Sequence, residues 1–285
     1  FGFQQVGTNC GLIGQNAALE VDGAAYWLSE NGFFRYSGSL ETMTCLVEDF
    51  VYNDLNTTAN QLINVGLNNL FGEITWFYCT ESSTVVNRCV TYNYQDSSPQ
   101  RPVWTTGTLA RGSWTDSSVF GLPHATFFNA SDDTSFDVQG NTEGSTIYFE
   151  HEKGTDEALA NGVTAITSNI ESGDFDITQA RSSTGQQTGV ATFKGDGEFL
   201  MKIRRFIPDF LSQTGNTQVT LQLRNYPNSS QASSPLGPFT ITSSTDKVDT
   251  RARARAISLK VANTAVGQSW KLGTFRLDTQ PDGRR

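Results

Sequence analysis

The chain has 285 residues, 37% of them hydrophobic and only 17% charged, with 19 Phe, 26 Gly, two His and four Cys. No run of about 18 apolar residues occurs, which excludes a membrane-spanning helix, and the aromatic content opposes disorder. Charge divides the sequence: residues 1–199 hold 24 acids against 7 bases, residues 200–285 hold 5 against 13, so the front repels polyanions and the back attracts them.

The charged fraction lies below the roughly 25% of an average soluble domain. Ser, Thr, Asn, Gln and Gly fill the gap, a profile of many short strands joined by polar turns. In chain order, the first clear unit is Gly23 to Ser29, then Asn31-Gly32, then Phe33 to Tyr36. Two aromatic runs around Asn-Gly predict a hairpin with a type I′ turn at Asn31 and Gly32. Thr57 to Leu70 is expected to be a short helix, with Thr57 and Thr58 near its cap. Glu73 to Cys79 and Arg88 to Tyr94 predict two strands around a polar turn; Val90 and Tyr92 alternate with Thr91 and Asn93, the period of a half-buried strand. Trp104, Thr106 to Thr108 and Trp114 mark further short strands, and Ala125 to Asn129 and Ser145 to Gly154 frame the acidic stretch Asp132-Asp133.

The aromatic centres Trp27, Phe77 and Tyr148 lie 50 and 71 residues apart. One β-propeller blade takes about 40–50 residues, so the first gap fits one blade and the second requires an insertion. Thr178 to Gly189 reads as a polar loop. After it, strands are expected at Phe199–Arg204, Val219–Leu223, Phe239–Ile241, Ala256–Val261 and Trp270–Asp278, a small antiparallel sheet or sandwich. The expected fold is therefore all-β, with propeller blades and an acidic surface over 1–177 and a basic antiparallel domain over 178–285.

No catalytic constellation stands out. His151-Glu152 does not extend to a zinc-protease motif, no nucleophile elbow surrounds a serine, and no phosphate-binding loop is present. At strand spacing Glu150 and Glu152 share a face and His151 points away; a lone strand histidine is more often a packed or hydrogen-bonded residue. Cys10, Cys45, Cys79 and Cys89 form no metal-ligand spacing and are read as reduced packing residues. No enzyme, cofactor or metal is expected. Arg251-Ala252-Arg253-Ala254-Arg255 is the most suggestive charge feature. Period two puts all three guanidiniums on one side of an extended segment, so Arg251, Arg253 and Arg255 form a candidate interface, for acidic groups first and phosphate second, against a solvated edge strand.

Several ordered motifs resemble a known family. Ile13 to Ala18, Asp22 to Ser29 and Gly32 to Gly38 are similar to a blade of the tail nozzle, or packaged-DNA stabilisation, proteins of short-tailed bacteriophages. Asp49 to Asn56 and Glu73 to Tyr78 resemble its next elements, and Asp249 to Arg255, Trp270 to Gly273 and Arg276 to Arg285 its closing run. The resemblance implies a β-propeller and a homo-oligomeric ring of six copies below the portal and the tail adaptor proteins, beside tail fibres or spikes. It also implies a lumen through which double-stranded DNA passes without sequence recognition, with no membrane partner. It implies a virion tail protein assembled in the bacterial cytoplasm and, because family members are usually much longer, a chain that corresponds to their C-terminal part. The alternative is a carbohydrate- or receptor-binding propeller of a phage tail, for which exposed Trp or Tyr platforms beside paired acids are the expected sign.

Overall fold

Aromatic strands bounded by Gly, Asp and Asn turns build an all-β protein with little helix. The structure is a computed structural model and describes residues 2, 5–116, 121–128, 146–159, 162–181, 187–192, 199–226 and 233–283. The chain forms two compact units, Phe1–Lys153 and Gly154–Arg285.

In the first unit, β1 (Ala18–Val21), β2 (Ala24–Ser29), β3 (Gly32–Tyr36) and β4 (Leu40–Met43) make an antiparallel meander. The first hairpin turns on Asp22-Gly23, with φ of 54° and 76°, the two left-handed residues that a type I′ turn needs. The expected turn at Asn31-Gly32 is displaced by one residue. Ser29 pairs with Gly32, so Glu30 and Asn31 form the loop, and Gly32, at φ 127°, opens β3. Tyr52 fixes that closure, its hydroxyl accepting from Gly32 N at 2.9 Å and donating to Ser29 O at 2.6 Å.

Tyr52 is carried by α1 (Glu48–Asp54), a helix with Val51 buried and Glu48 and Asp49 complementing the positive end of its dipole. The helix expected over residues 57–70 is a 3-10 turn, Thr57–Leu62, whose Thr58 N–H bonds the Asn56 side chain at 3.0 Å. It stops because the next residues alternate: Asn64, Gly66 and Asn68 are buried and Val65 and Leu67 half-buried, the period of a strand.

That strand is β5 (Asn64–Asn68). With β6 (Glu73–Tyr78), β7 (Arg88–Asn93) and β8 (Trp104–Gly107) it forms the second meander; β9 (Ser113–Thr115), β10 (His124–Phe128) and β11 (Thr146–Glu150) form a third sheet. The first strands start at Ala18, Asn64 and Ser113, 46 and then 49 residues apart. The uneven aromatic spacing has a simple cause: Trp27 and Phe77 sit on second strands, whereas Tyr148 sits on a third. None of the sheets closes on itself. The acidic stretch Asp132-Asp133 lies outside the described residues.

Tryptophans join these sheets. Trp76 of β6 donates to Ala17 O at 3.0 Å, Trp104 of β8 to Thr44 O at 2.8 Å and Trp114 of β9 to Leu67 O at 2.8 Å, each reaching back one sheet. Phe33, Trp76 and Trp104 pack together, with Phe33 ring centroids 5.1 and 4.7 Å from the two indoles. On the opposite face of β6, Phe77 stacks on Trp114 at 5.7 Å, beside buried Cys79 and Cys89. All four cysteines are free thiols, and burial pushes Cys79 and Cys89 up to about 11.

The second unit holds β12 (Asp156–Leu159), β13 (Gly162–Ala165), β14 (Ser168–Glu171), β15 (Phe175–Asp176), β16 (Thr178–Arg181), β17 (Gln187–Thr192), β18 (Met201–Ile207), β19 (Phe210–Thr214), β20 (Thr217–Arg224), β21 (Ser233–Ile241), β22 (Val248–Ala254), β23 (Ala256–Asn263), β24 (Ser269–Leu272) and β25 (Arg276–Pro281). Its main sheet runs β14-β23-β20-β21, with β15 also on β23; a second sheet runs β22-β18-β25, and β12-β13, β16-β17 and β19-β24 are two-stranded. The sequence assigned β14 and β15 to the first part, ending at 177. Their partners are Lys260 to Asn263, Ile257 and Ala256 on β23, which is why they belong to the second unit. The polar segment 178–189, expected as a loop, supplies β16 and the start of β17. Met201, Ile203, Phe206, Val219, Leu221, Ile257 and Val261 form this unit's core.

Gly66 shows how tight the approach of β9 to β5 is: a Cβ there would lie 2.4 Å from Trp114 Cγ. Gly66→Ala is expected to destabilise the first unit by about 1–3 kcal/mol, as overpacking does. Trp76→Phe, which removes the indole donor to Ala17, costs about 1–2 kcal/mol. Thermal melting of the full chain, followed by tryptophan fluorescence and hydrogen exchange of β5 and β6, checks both; unchanged protection of these strands would contradict the account.

Candidate interaction surface

The arginines singled out in the sequence lie at the end of β22, where small and charged residues alternate. Ala252 and Ala254 are completely buried, so Arg251 and Arg253 project from the opposite, solvent face. Arg255 does not continue the row. It occupies the step between β22 and β23, half-buried, with its backbone N–H bonded to Arg224 O at 3.0 Å.

Cross-strand partners widen the pair into a surface. Lys202 of β18 stands directly opposite Arg253 on one side and Gln280 of β25 on the other. Like charges facing each other in this way are destabilising. A register shift between Ile203 and Arg205 sets exposed Arg204 beside Thr250 and Arg251. Thr250 steadies this bulge by donating to Ile203 O at 2.7 Å.

Compensation on this face is uneven. Arg253 is bound by the Asp282 carboxylate and by Asp282 O at 3.3 Å. Arg205 lies 3.6 Å from both Asp249 and Asp278. Among the described residues, Lys202, Arg204 and Arg251 have no carboxylate partner. Arg253 and Arg205 are therefore compensated at the two ends of the face, while Lys202, Arg204 and Arg251 add three cations beside and between them. Lys202 and Arg204, two residues apart, carried the same period-two signal as the arginine row; the bulge that adds Arg205 beside them has no sequence signature.

His151 lies elsewhere, in the first unit, in a setting that explains its chemistry. Its Nε2 accepts from Arg111 Nε at 2.8 Å, its ring packs 4.5 Å from that of Trp114, and Arg111 sits 3.6 Å over the Phe149 ring. Burial, then the charges of Arg111 and His124, pull its pKa down to about 4, so at neutral pH it is a hydrogen-bond acceptor. Glu150 points away and pairs with Lys153. Glu152, at φ 59°, accepts from Asn68 Nδ2 at 2.9 Å. Glu73 is raised above the ordinary glutamate value by burial and then by Glu152.

No protein-family model matches the chain, and no curated protein matches it.

Two pH effects of opposite sign follow from these groups. The unfolded chain protonates His151 below its ordinary value, whereas the folded chain does so only near about 4. Its contribution is complete at neutral pH and is lost as pH falls through that window. The melting-temperature difference between wild type and His151→Gln should therefore shrink by several degrees from about pH 7 to about pH 4.5. Glu73 behaves oppositely. Its raised value means that a penalty is absent in acid and grows as pH rises. Glu73→Gln is expected to raise the melting temperature at about pH 7 and to have little effect near pH 4. Pairs of melts across that range check both, and a pH-independent difference would contradict the assignment.

Proposed function

We propose that the chain is a structural protein of the virion tail of a short-tailed bacteriophage, part of a nozzle that retains packaged DNA and conducts it during ejection. The observation that carries this reading is the succession of three antiparallel sheets whose first strands recur every 46 and 49 residues. The first two of them carry residues that resemble nozzle elements. Such spacing is that of propeller blades, and the Trp76, Trp104 and Trp114 hydrogen bonds hold each sheet to the one before it.

Charge agrees with a conduit. The first unit carries 17 acids against 5 bases, and the second 12 against 15. An acidic wall gives a sliding polyanion no phosphate-binding contacts to hold it. The ring is built from identical copies, six by the family resemblance, placed below the portal and the tail adaptor proteins.

A carbohydrate-binding propeller asks for tryptophan or tyrosine platforms open to solvent, beside paired acids; Tyr148 and Tyr226 are exposed, but the tryptophans are not. All five tryptophans are half-buried or buried, and each indole N–H is donated within the chain, to Cys10 O, Ala17 O, Thr44 O, Leu67 O or Asn263 Oδ1. The tryptophans therefore speak against a glycan platform, and the exposed tyrosines make glycan binding the second reading to test.

Quantitative mass spectrometry of purified tailed particles tests it. The chain is expected in the tail at six copies per particle. Its absence from particles, or saturable glycan binding by the isolated protein, would overturn the proposal.

A further inference from the structure

We propose that the solvent face of the β22-β18-β25 sheet, centred on Lys202, Arg204 and Arg251, docks onto the acidic first unit of a second copy of this chain. The inference rests on the ring reading and names the surface and partner that would build the ring.

Three observations lead to it. First, three cations without carboxylate partners among the described residues occupy adjacent strands of one small sheet. Lys202 faces Arg253, and Arg204 lies beside Arg251. In the isolated unit this arrangement is repulsive, and an opposing acidic surface removes the penalty.

Second, the chain itself supplies such a surface. The first unit has an excess of 12 acids and the second an excess of 3 bases. A basic patch on one unit that meets an acidic patch on the other unit of a neighbour is a heterologous contact. When the rotation between neighbours closes, contacts of that kind generate a ring.

Third, the face is of mixed sign in a way that fits protein better than nucleic acid. Asp249, Asp278 and Asp282 stand among the basic residues. A phosphate backbone, charged at every step, meets repulsion from these carboxylates, whereas an acidic protein surface can place its carboxylates on Lys202, Arg204 and Arg251 alone. The exposed apolar side chain of Ile207, at the end of β18, lies at the margin of the same face and gives such a contact a hydrophobic element.

The proposal also revises the arginine row read from the sequence. Arg253 is already engaged by Asp282, and Arg255 lies off the face. The residues left to engage a partner are Arg251 with Lys202 and Arg204.

Mass photometry and sedimentation of the purified full chain, from low to high salt, test the proposal. Three proteins are compared: wild type, Lys202→Gln/Arg204→Gln/Arg251→Gln, and a Lys260→Gln/Lys271→Gln control. Wild type and control are expected to self-associate, less so as salt rises. The triple variant should associate about 10- to 100-fold more weakly and melt no lower than wild type, because neutralising like charges relieves repulsion. A charge-reversal version, with Glu at the same three positions, should abolish association.

Other outcomes overturn it in distinguishable ways. Association of the triple variant equal to wild type rejects this face while leaving the ring intact. A wild type that stays monomeric at every salt rejects the ring and the face together. Salt-dependent binding of a DNA duplex by monomeric wild type, lost in the triple variant, reassigns the face to phosphate.

Discussion

The constraint on which the first unit depends is that a buried tryptophan must place its indole N–H on an acceptor. In three cases that acceptor is a backbone carbonyl in or beside a strand of the preceding sheet: Ala17 just before β1, Thr44 just after β4 and Leu67 in β5. An indole brings a large apolar area and one donor, so each bond fixes sheet position as well as burial. The second sheet is pinned at both of its sides, by Trp76 and Trp104 toward the first sheet and by Trp114 approaching from the third. This is why β6 buries Trp76 on one face and Phe77 on the other, and why Gly66 must lack a side chain where Trp114 lies.

Much of this was legible in the sequence, and the failures have physical causes. Strands at Ala24–Ser29, Glu73–Tyr78 and Arg88–Asn93 follow from aromatic and β-branched alternation, and the structure has them. The turn at Asn31-Gly32 was misplaced because dipeptide preference does not fix register; a tyrosine from α1 does, 20 residues along the chain. Asp22-Gly23 is the same kind of dipeptide signal, and there the turn falls on it. The helix α1 is short and its signal weak, since one buried valine and a half-buried tyrosine make no helical stripe. The 46- and 49-residue recurrence of first strands does not show in the aromatic spacing, because Trp27 and Phe77 lie on second strands and Tyr148 on a third. In the second unit, β14 and β15 are short strands whose partners lie about 80 to 95 residues away on β23, so local patterning could not assign them to a unit.

The candidate surface was half legible. Period two correctly placed Arg251 and Arg253 on one face, because Ala252 and Ala254 fill the core beneath them. It could not show that the strand ends at Ala254, nor that Asp282 from the far end of the chain occupies Arg253. Those two facts shift the uncompensated charge from a single strand to a two-strand patch. On the proposed reading, an acidic first unit offers sliding DNA no phosphate-binding contacts, and a basic second unit is the part that neighbouring copies recognise.

The central claim is that successive sheets of the first unit are propeller blades in a ring-shaped tail assembly. An electron cryo-microscopy reconstruction of the tail, or of the assembled chain, tests it most directly. The account predicts β1, β5 and β9 side by side around one axis, with the Lys202–Arg251 face of each copy against the acidic unit of its neighbour. Sheets stacked as a two-layer sandwich, or a Lys202–Arg251 face open to solvent in a fully assembled ring, would contradict it.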